Sequence, residues 1–342
     1  MNVLVTGGAG YIGAHVVDAL LRSGRGVVVV DDLSTGRADR VPGLPLVQVD
    51  LATPGSPDVL VETMDTWDVT AVVHLAGRKK VGESVARPAW YHEQNVGGTA
   101  HVLRAMASAG VPHLVFSSSA AVYGSPAVAL VDEDTPTHPI SPYGATKLAC
   151  EDLAARAVTD GVGSFSLRYF NVAGAGSWLL RDDEEANLVT TVLGRLARGE
   201  APQVNGDDYP TPDGTCVRDL VDVRDVADAH VAALRALEGA ATPAAEVLNV
   251  GTGSGVSVRE VVDRLCALDG HGLPVEVLPR RAGDPATVVA AVGRARDRLG
   301  WQASYGLDDV LRSAWSAARG EQAGAEQAGA EQAGAEQVSR AR

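Results

Sequence analysis

Tyr143 and Lys147 stand at i and i+4 in the run Tyr-Gly-Ala-Thr-Lys, and Ser117-Ser118-Ser119 ends an apolar stretch upstream. On a helix this spacing puts the phenol and the ammonium on one face. Tyrosine is a poor base, with an ordinary pKa of ~10. A neighbouring ammonium stabilises the phenolate, and so does a cationic ring bound beside it. Bringing the pKa near 7 takes ~3 units, roughly 4 kcal/mol. Two close positive charges in a partly dry site can supply that. Ser119 would then orient a substrate hydroxyl or relay its proton. A Tyr–Lys pair alone is also common on a solvated helix, so its meaning depends on what surrounds it.

A second group of residues gives that context. Gly7, Gly10 and Gly13 form a Gly-xx-Gly-xx-Gly turn after the short run Asn2–Thr6. In a strand–turn–helix setting Gly7 permits the tight turn, Gly10 admits a pyrophosphate and Gly13 lets helix and strand approach. The free amides at the helix start then face phosphate. Asp31 and Asp32 end the second apolar run, about 20 residues on. A carboxylate there suits the ribose hydroxyls of NAD and repels the extra phosphate of NADP. Asp50, after the third run, is a candidate acceptor for the adenine amino group. Taken with Ser119, Tyr143 and Lys147, this points to hydride chemistry on a bound NAD.

These residues need a doubly wound α/β scaffold. The pattern predicts strands at Asn2–Thr6, Gly26–Asp31, Leu46–Val49, Ala71–Leu75, His113–Ser117 and Ser164–Tyr169. Helices are predicted between them at about Ile12–Ser23, Asp58–Met64, Tyr91–Ala109 and Tyr143–Asp160. Strands alternating with helices imply a parallel sheet, and near-continuous apolar strands imply helices on both faces. After Asn171 the rhythm loosens. A charged loop spans Trp178 to Ala186. Helices are predicted at Asn187–Arg198, Val223–Leu237, Ser257–Leu268 and Leu307–Arg319, with strands at Glu246–Val250 and Pro274–Leu278. The expected division is an NAD-binding Rossmann-type domain, 1–172 plus about 216–255, and a smaller mixed α/β substrate lobe, about 173–215 plus 256–318. The Glu-Gln-Ala-Gly-Ala repeat marks 319–342 as a disordered tail.

Composition narrows the function classes. With 342 residues, 46% of them hydrophobic, the chain can bury a large core. No apolar run approaches the ~20 residues of a membrane span, and no leader pattern is present. The scattered Cys150, Cys216 and Cys266 fit a reducing, cytoplasmic compartment. A net charge of −14 argues against nucleic acid, yet local amides and arginines can still hold a small phosphorylated ligand. The spacing of His, Cys, Asp and Glu suggests no metal site.

From Met1 to about Ala318 the chain resembles the UDP-galactose 4-epimerase family of extended short-chain dehydrogenases/reductases. The carriers are Val5-Thr6-Gly7-Gly8-Ala9-Gly10-Tyr11-Ile12-Gly13, His74-Leu75-Ala76-Gly77, Val81-Gly82-Glu83-Ser84, Ser117-Ser118-Ser119, Ser141-Pro142-Tyr143-Gly144 and Arg168-Tyr169-Phe170-Asn171. Gly206-Asp207-Asp208-Tyr209-Pro210-Thr211 and Val217-Arg218-Asp219 complete them. The resemblance implies inversion at C4 of a UDP-hexose through a 4-keto sugar, with NAD held throughout and Ser119, Tyr143 and Lys147 catalytic. It implies cofactor contacts at Gly7, Gly10, Tyr11, Ile12, Gly13, Asp31, Asp32, Leu33, Ser34, Asp50 and Leu51. Further cofactor contacts are Leu75, Ala76, Gly77, Lys79, Asn95, Ser117, Tyr143, Lys147, Tyr169 and Phe170. For the UDP-sugar it implies Lys79, Ser119, Tyr143, Asn171, Asn187, Leu188, Val204, Asn205, Arg218, Arg281 and Asp284. It also implies a homodimer through the helices Tyr91–Ala109 and Tyr143–Asp160.

Departures from the family pattern cluster on the substrate side. Asn205 stands where many members carry an aromatic ring that stacks on uracil. The loop after Gly174 is short and acidic, with Asp182-Asp183-Glu184-Glu185, Val189-Thr190 replaces a usual proline, and Asp222 replaces a common histidine. Val288 occupies a position that gates N-acetylated sugars. An epimerase of another UDP-sugar is therefore a rival reading. A nucleotide-sugar dehydratase or decarboxylase would need an acid or base after Ser119, where Ala120 and Ala121 stand. A non-catalytic NAD sensor would not need the Ser119–Tyr143–Lys147 set.

Overall fold

The computed structural model describes residues 1–270, 272–281 and 283–320. The repeat assigned to the tail lies outside the described residues. Residues 319 and 320, which the sequence reading gave to that tail, instead end a helix over 307–320. Arg319 is tied there to Asp269 and packs on the Trp315 ring.

Seven strands form the main sheet in the order Ala245–Val250, Gly163–Tyr169, His113–Ser119, Val69–His74, Asn2–Thr6, Gly26–Asp31, Leu46–Gln48. Every pairing is parallel. Successive side chains of a strand face opposite sides, and two separate cores follow from that. Val3, Val5, Val27, Val29, Ala71 and Val73 pack on one side, under the helices Tyr11–Arg22 and Val223–Glu238. Leu4, Val28, Val30, Val72, Leu114 and Phe116 pack on the other, under Ser56–Thr66, Gly98–Ala109 and Pro142–Arg156. The strand order reverses at Asn2–Thr6, which opens a crevice at the carboxyl ends of the strands.

Val217–Asp222 lies in a second, five-stranded sheet with Gly255–Ser257, Thr287–Ala290, Leu130–Val131 and Asn171–Ala173. Gln203–Asn205 pairs in parallel with Glu276–Leu278. Several of these strands span only two or three residues, too few to show a period in sequence.

The stretch expected as one helix, Tyr91–Ala109, is divided. An α-helical turn, Pro88–His92, passes into a π-turn, Glu93–Gly97, before Gly98–Ala109. Asn95, buried in that π-turn, is held from outside the helix. Its Oδ1 accepts the Arg78 amide at 2.7 Å, and its Nδ2 donates to the Arg78 carbonyl at 3.1 Å and to Thr146 Oγ1 at 3.0 Å. Pro142–Arg156 starts cleanly, because the Ser141 hydroxyl accepts the Gly144 amide and Pro142 sits in the first turn.

Behind the strand end Ser117–Ser119 lies a buried ion pair. Arg168 donates to both Glu151 oxygens, at 2.9 and 2.6 Å, and to the Tyr123 hydroxyl at 2.9 Å. Ser118 also donates to Glu151, and Tyr123 donates to Asn249 Oδ1 at 2.7 Å. Removing one partner strands a buried charge, so Glu151→Ala should lower the unfolding free energy by about 3–5 kcal/mol. Chemical denaturation measures this, and a loss below about 1 kcal/mol would contradict the role given to the pair.

Three buried histidines give a pH dependence. Burial depresses His15 and His230 to about 4 and His74 to about 3. The unfolded imidazole titrates near 6.5. As pH falls from about 6.5 toward 4, the unfolded chain takes up protons that the fold refuses, so stability drops by about 1.4 kcal/mol per pH unit for each histidine. Above pH ~6.5 they contribute no slope. A denaturation midpoint that stays level between pH ~7 and ~5 would contradict this.

Candidate active site

Gly7 has φ +69°, a left-handed conformation that favours glycine, and a Cβ there would lie 2.7 Å from the Ala76 nitrogen. A Cβ on Gly13 would lie 2.0 Å from the Gly7 carbonyl oxygen. Gly10 caps the helix Tyr11–Arg22 without a side chain, so the first-turn amides face open space. This bare cradle fits a pyrophosphate. It lines a cleft that it shares with two groups of polar residues. Asp31, Asp32, Ser34 and Asp50 stand at one end, and Ser117, Ser119, Tyr143 and Lys147 at the other. Tyr11, Ile12, Leu51, Leu75, Ala76, Gly77, Tyr169 and Phe170 form its walls. The glycine turn and the donor set along this lining fit a dinucleotide such as NAD.

At the first end Asp31 is buried, with Oδ2 accepting the Ala9 amide at 3.0 Å and Oδ1 the Leu33 amide at 2.8 Å. Burial raises its carboxyl pKa, and these amides oppose the shift. Each oxygen keeps a lone pair for a further donor. Leu33 itself packs on the core, with φ 56°, and does not line the cleft. Asn95 also stands behind the wall. Arg78, which the sequence analysis does not single out, lines the cleft and binds Asp32.

At the far end the register sets Ser119 opposite Tyr169 and Ser117 opposite Leu167. The Lys147 ammonium donates to the Ser117 carbonyl at 2.7 Å and lies 5.0 Å from the Phe116 ring centre. Burial pulls its pKa down, opposed by Cys150 and Glu151. The Ser119 hydroxyl accepts the Ala121 amide at 3.1 Å and hydrogen-bonds to the Tyr143 phenol. The expected depression of Tyr143 by Lys147 is not provided by the chain alone. Burial raises the phenol pKa, the bond from Ser119 opposes that, and the lysine ammonium is turned to Ser117. Tyr169 donates to His230 Nε2 at 2.6 Å, which anchors the wall beside Tyr143.

The residues expected around a UDP-sugar are less gathered. Arg218 and Asp284 do meet, at 3.3 Å. Lys79 lines the cleft, but its ammonium pairs with Glu184 at 3.2 Å and Asp182 at 3.9 Å of the acidic loop. The same loop is held by Lys80 to Glu184 at 2.9 Å, and by Arg37 and Arg40 to Asp183 at 2.9 and 2.7 Å. Asn187 caps the helix Leu188–Ala197, accepting the Thr190 amide at 3.0 Å and donating to Asp182 at 3.0 Å. It lines a separate cavity of about 820 Å3 with Tyr11, Asp182 and Glu184. Val204 is fully buried in the core of the smaller lobe. Asn205 follows it, paired with Leu278, and Asn171 and Arg281 are exposed. Arg280, not Arg281, stacks on Tyr209, with its guanidinium carbon 4.1 Å from the ring centre.

Besides Arg78, the sequence reading missed Gln94, Thr35 and Val172 as cleft residues. Arg78 carried a usable signal, since it lies in the loop that leaves the fourth strand, Val69–His74, and ligands bind outside the carboxyl ends of such strands. Gln94 carried none, because a π-turn sets its direction.

Comparison with known proteins agrees with this geometry. A family model described as the NAD dependent epimerase/dehydratase family matches residues 3–251. A UDP-glucose 4-epimerase of Streptomyces lividans is 44% identical over 91% of this chain and 94% of its own length. One of Corynebacterium glutamicum is 42% identical, over 92% and 95%. Among solved structures, a UDP-glucose 4-epimerase from Stenotrophomonas maltophila with NAD and formylated UDP-arabinopyranose superposes with a TM-score of 0.90. It is 39% identical and covers 95% of this chain and 99% of that one. With a glycine cradle and a Ser–Tyr–Lys end lining one cleft, the chain belongs to the NAD dependent epimerase/dehydratase family.

Proposed function

We propose that this chain is an NAD-dependent isomerase that inverts C4 of a UDP-hexose, interconverting UDP-glucose and UDP-galactose through a 4-keto sugar. The observation that carries the proposal is the meeting of Ser119, Tyr143 and Lys147 at one end of a dinucleotide cleft. When bound, oxidised NAD supplies a hydride acceptor and a positive ring charge at that end. Tyr143 Oη takes the proton of the sugar 4-hydroxyl and later returns it, and Ser119 Oγ holds that hydroxyl in line. Lys147, fixed by the Ser117 carbonyl, holds the cofactor ribose. Ala120 and Ala121 carry no group that moves a proton, so elimination is not promoted.

Glycine-turn amides, Tyr11 and Ile12 hold the pyrophosphate, and Asp31 takes the adenosine ribose. Asp32, Ser34, Asp50, Leu51, Leu75, Ala76 and Gly77 enclose the adenosine half. Leu33 acts through its amide, which holds the Asp31 carboxylate, and Asn95 through the Arg78 backbone it fixes. On the substrate side Arg218 and Arg281 take the diphosphate, suited by their planar forks, and Asp284 orients Arg218. Lys79, Asn171, Asn187, Leu188, Val204 and Asn205 complete the enclosure between an NAD-binding domain and a smaller lobe. The acidic loop favours a second reading for the sugar alone, because Glu184 and Asp182 already engage Lys79. That reading is C4 inversion of another UDP-sugar by the same residues.

Three free cysteines support a cytoplasmic location, and no helix among the described residues is long and apolar enough to cross a membrane. Ala100, Leu103, Leu153 and Ala157 line an outer groove between Gly98–Ala109 and Pro142–Arg156, which supports a homodimer through those helices.

Purified protein given UDP-galactose and no added NAD should form UDP-glucose, detected by chromatography, and Tyr143→Phe should lose the activity by at least about 100-fold. No conversion, with NAD recovered from denatured protein, would move the substrate to another UDP-sugar. No conversion and no NAD, even after NAD is added, would overturn the proposal. A second check concerns the phenol. In NAD-free protein Tyr143 should stay protonated beyond pH ~10, so the phenolate absorbance of wild type and Tyr143→Phe should coincide below that pH. A difference appearing near neutrality would contradict the direction set by burial.

A further inference from the structure

Arg78 spans the mouth of the cleft. On one lip its guanidinium donates to Asp32 Oδ2 at 2.6 Å and to the Ser34 hydroxyl. On the other it donates to Gln94 Oε1 from Nε at 3.2 Å and from NH2 at 3.0 Å. Gln94 in turn reaches both oxygens of Asp50 at 3.4 and 3.3 Å. Asp32, Ser34, Arg78, Gln94 and Asp50 all line the cleft. We propose that Arg78 is a clasp over the adenosine end, and that its bridge between the two lips sets how slowly bound NAD leaves. The proposal rests on the reading of the cleft as an NAD site and adds the residue that closes it.

The base of the clasp is fixed and its tip is free to open. Asn95 holds both the amide and the carbonyl of Arg78. Gly77, with φ +159°, keeps its α-carbon bare beside Asn95 Oδ1, where a Cβ would approach to 3.1 Å. The side chain is held only through the hydrogen bonds at its tip. It is 19% exposed and its Asp32 partner 27% exposed, so the ion pair can part without unfolding the turn. Trp90 backs the open side, 5.2 Å from the guanidinium carbon, while Arg87 covers that ring at 3.8 Å.

The π-turn Glu93–Gly97 explains why two consecutive residues both address Arg78. Asn95 takes its backbone and Gln94 its side chain. π-turns inside helices gather at functional sites, and here one residue more per turn brings Gln94 to the lip. Charge has the same logic. Asp31, Asp32 and Asp50 crowd one end of the cleft, and Arg78 is bound to one of them directly and to another through Gln94. A planar guanidinium also lies well on a flat base.

The test is the rate at which protein loaded with labelled NAD loses the label to a chase of unlabelled NAD. Arg78→Ala should release NAD roughly ten-fold faster, as expected for one charge-assisted hydrogen bond. Gln94→Ala leaves the Gly77 turn and the Asp32 pair intact and should also release faster, by a smaller factor. About 1 M salt should speed release from wild type and leave Arg78→Ala unchanged. Release within about two-fold of wild type in both variants would overturn the clasp. So would faster release in Arg78→Ala alone, since that would reduce the span to a contact with one lip. Wild type that takes up no NAD would overturn the reading of the cleft itself. Wild type that holds NAD beside unchanged variants would overturn only the clasp.

Discussion

Gly13 lies so close to the Gly7 carbonyl that no β-carbon fits between them. The first helix therefore starts directly against the first strand, and much of the site is hung from that contact. Tyr11 reaches the Gly174 carbonyl at 2.7 Å, and His15 accepts the Gly176 amide at 2.8 Å. The segment leading to the acidic loop is thus tied to the helix that faces the pyrophosphate. Asp31, from the neighbouring strand, reaches back to the Ala9 amide in the same turn. A side chain at position 13 would push the helix away and displace these contacts together.

The opposite end of the cleft is governed by burial. Desolvation pulls Lys147 down and pushes Tyr143 up, each toward its neutral form. The chain alone does not make a base of the tyrosine. It fixes the groups among which a base arises once charge enters with the ligands. Ser117 carries two parts of that fixing, since its carbonyl holds Lys147 and its hydroxyl bonds to Tyr169. The Glu151–Arg168 pair braces the same strand end from behind through Ser118.

The parallel sheet, the glycine turn and the pairing of Tyr143 with Lys147 on one helix were legible in sequence, because each depends on spacing along the chain. Tyr143 and Lys147 share a helix, and Gly7, Gly10 and Gly13 share a turn. Where a side chain turns depends on distant partners that spacing does not carry. Gln94 points into the cleft because a π-turn redirects it, and Asn187 spends its amide on a helix cap and Asp182. Val204 keeps the right place in the chain but turns its side chain into the core. Short strands such as Leu130–Val131 and Asn171–Ala173 form only because Thr287–Ala290 and Val217–Asp222 offer them an edge.

In the proposed cycle C4 is oxidised and reduced within one site, and Tyr143 handles only the hydroxyl proton. The most direct measurement is turnover of UDP-galactose in heavy water, with the UDP-glucose formed analysed for carbon-bound deuterium. None is expected at C4, because the hydrogen removed there is the one returned. Deuterium at C4 would show that a carbon-bound proton is exchanged with solvent, and would contradict the account.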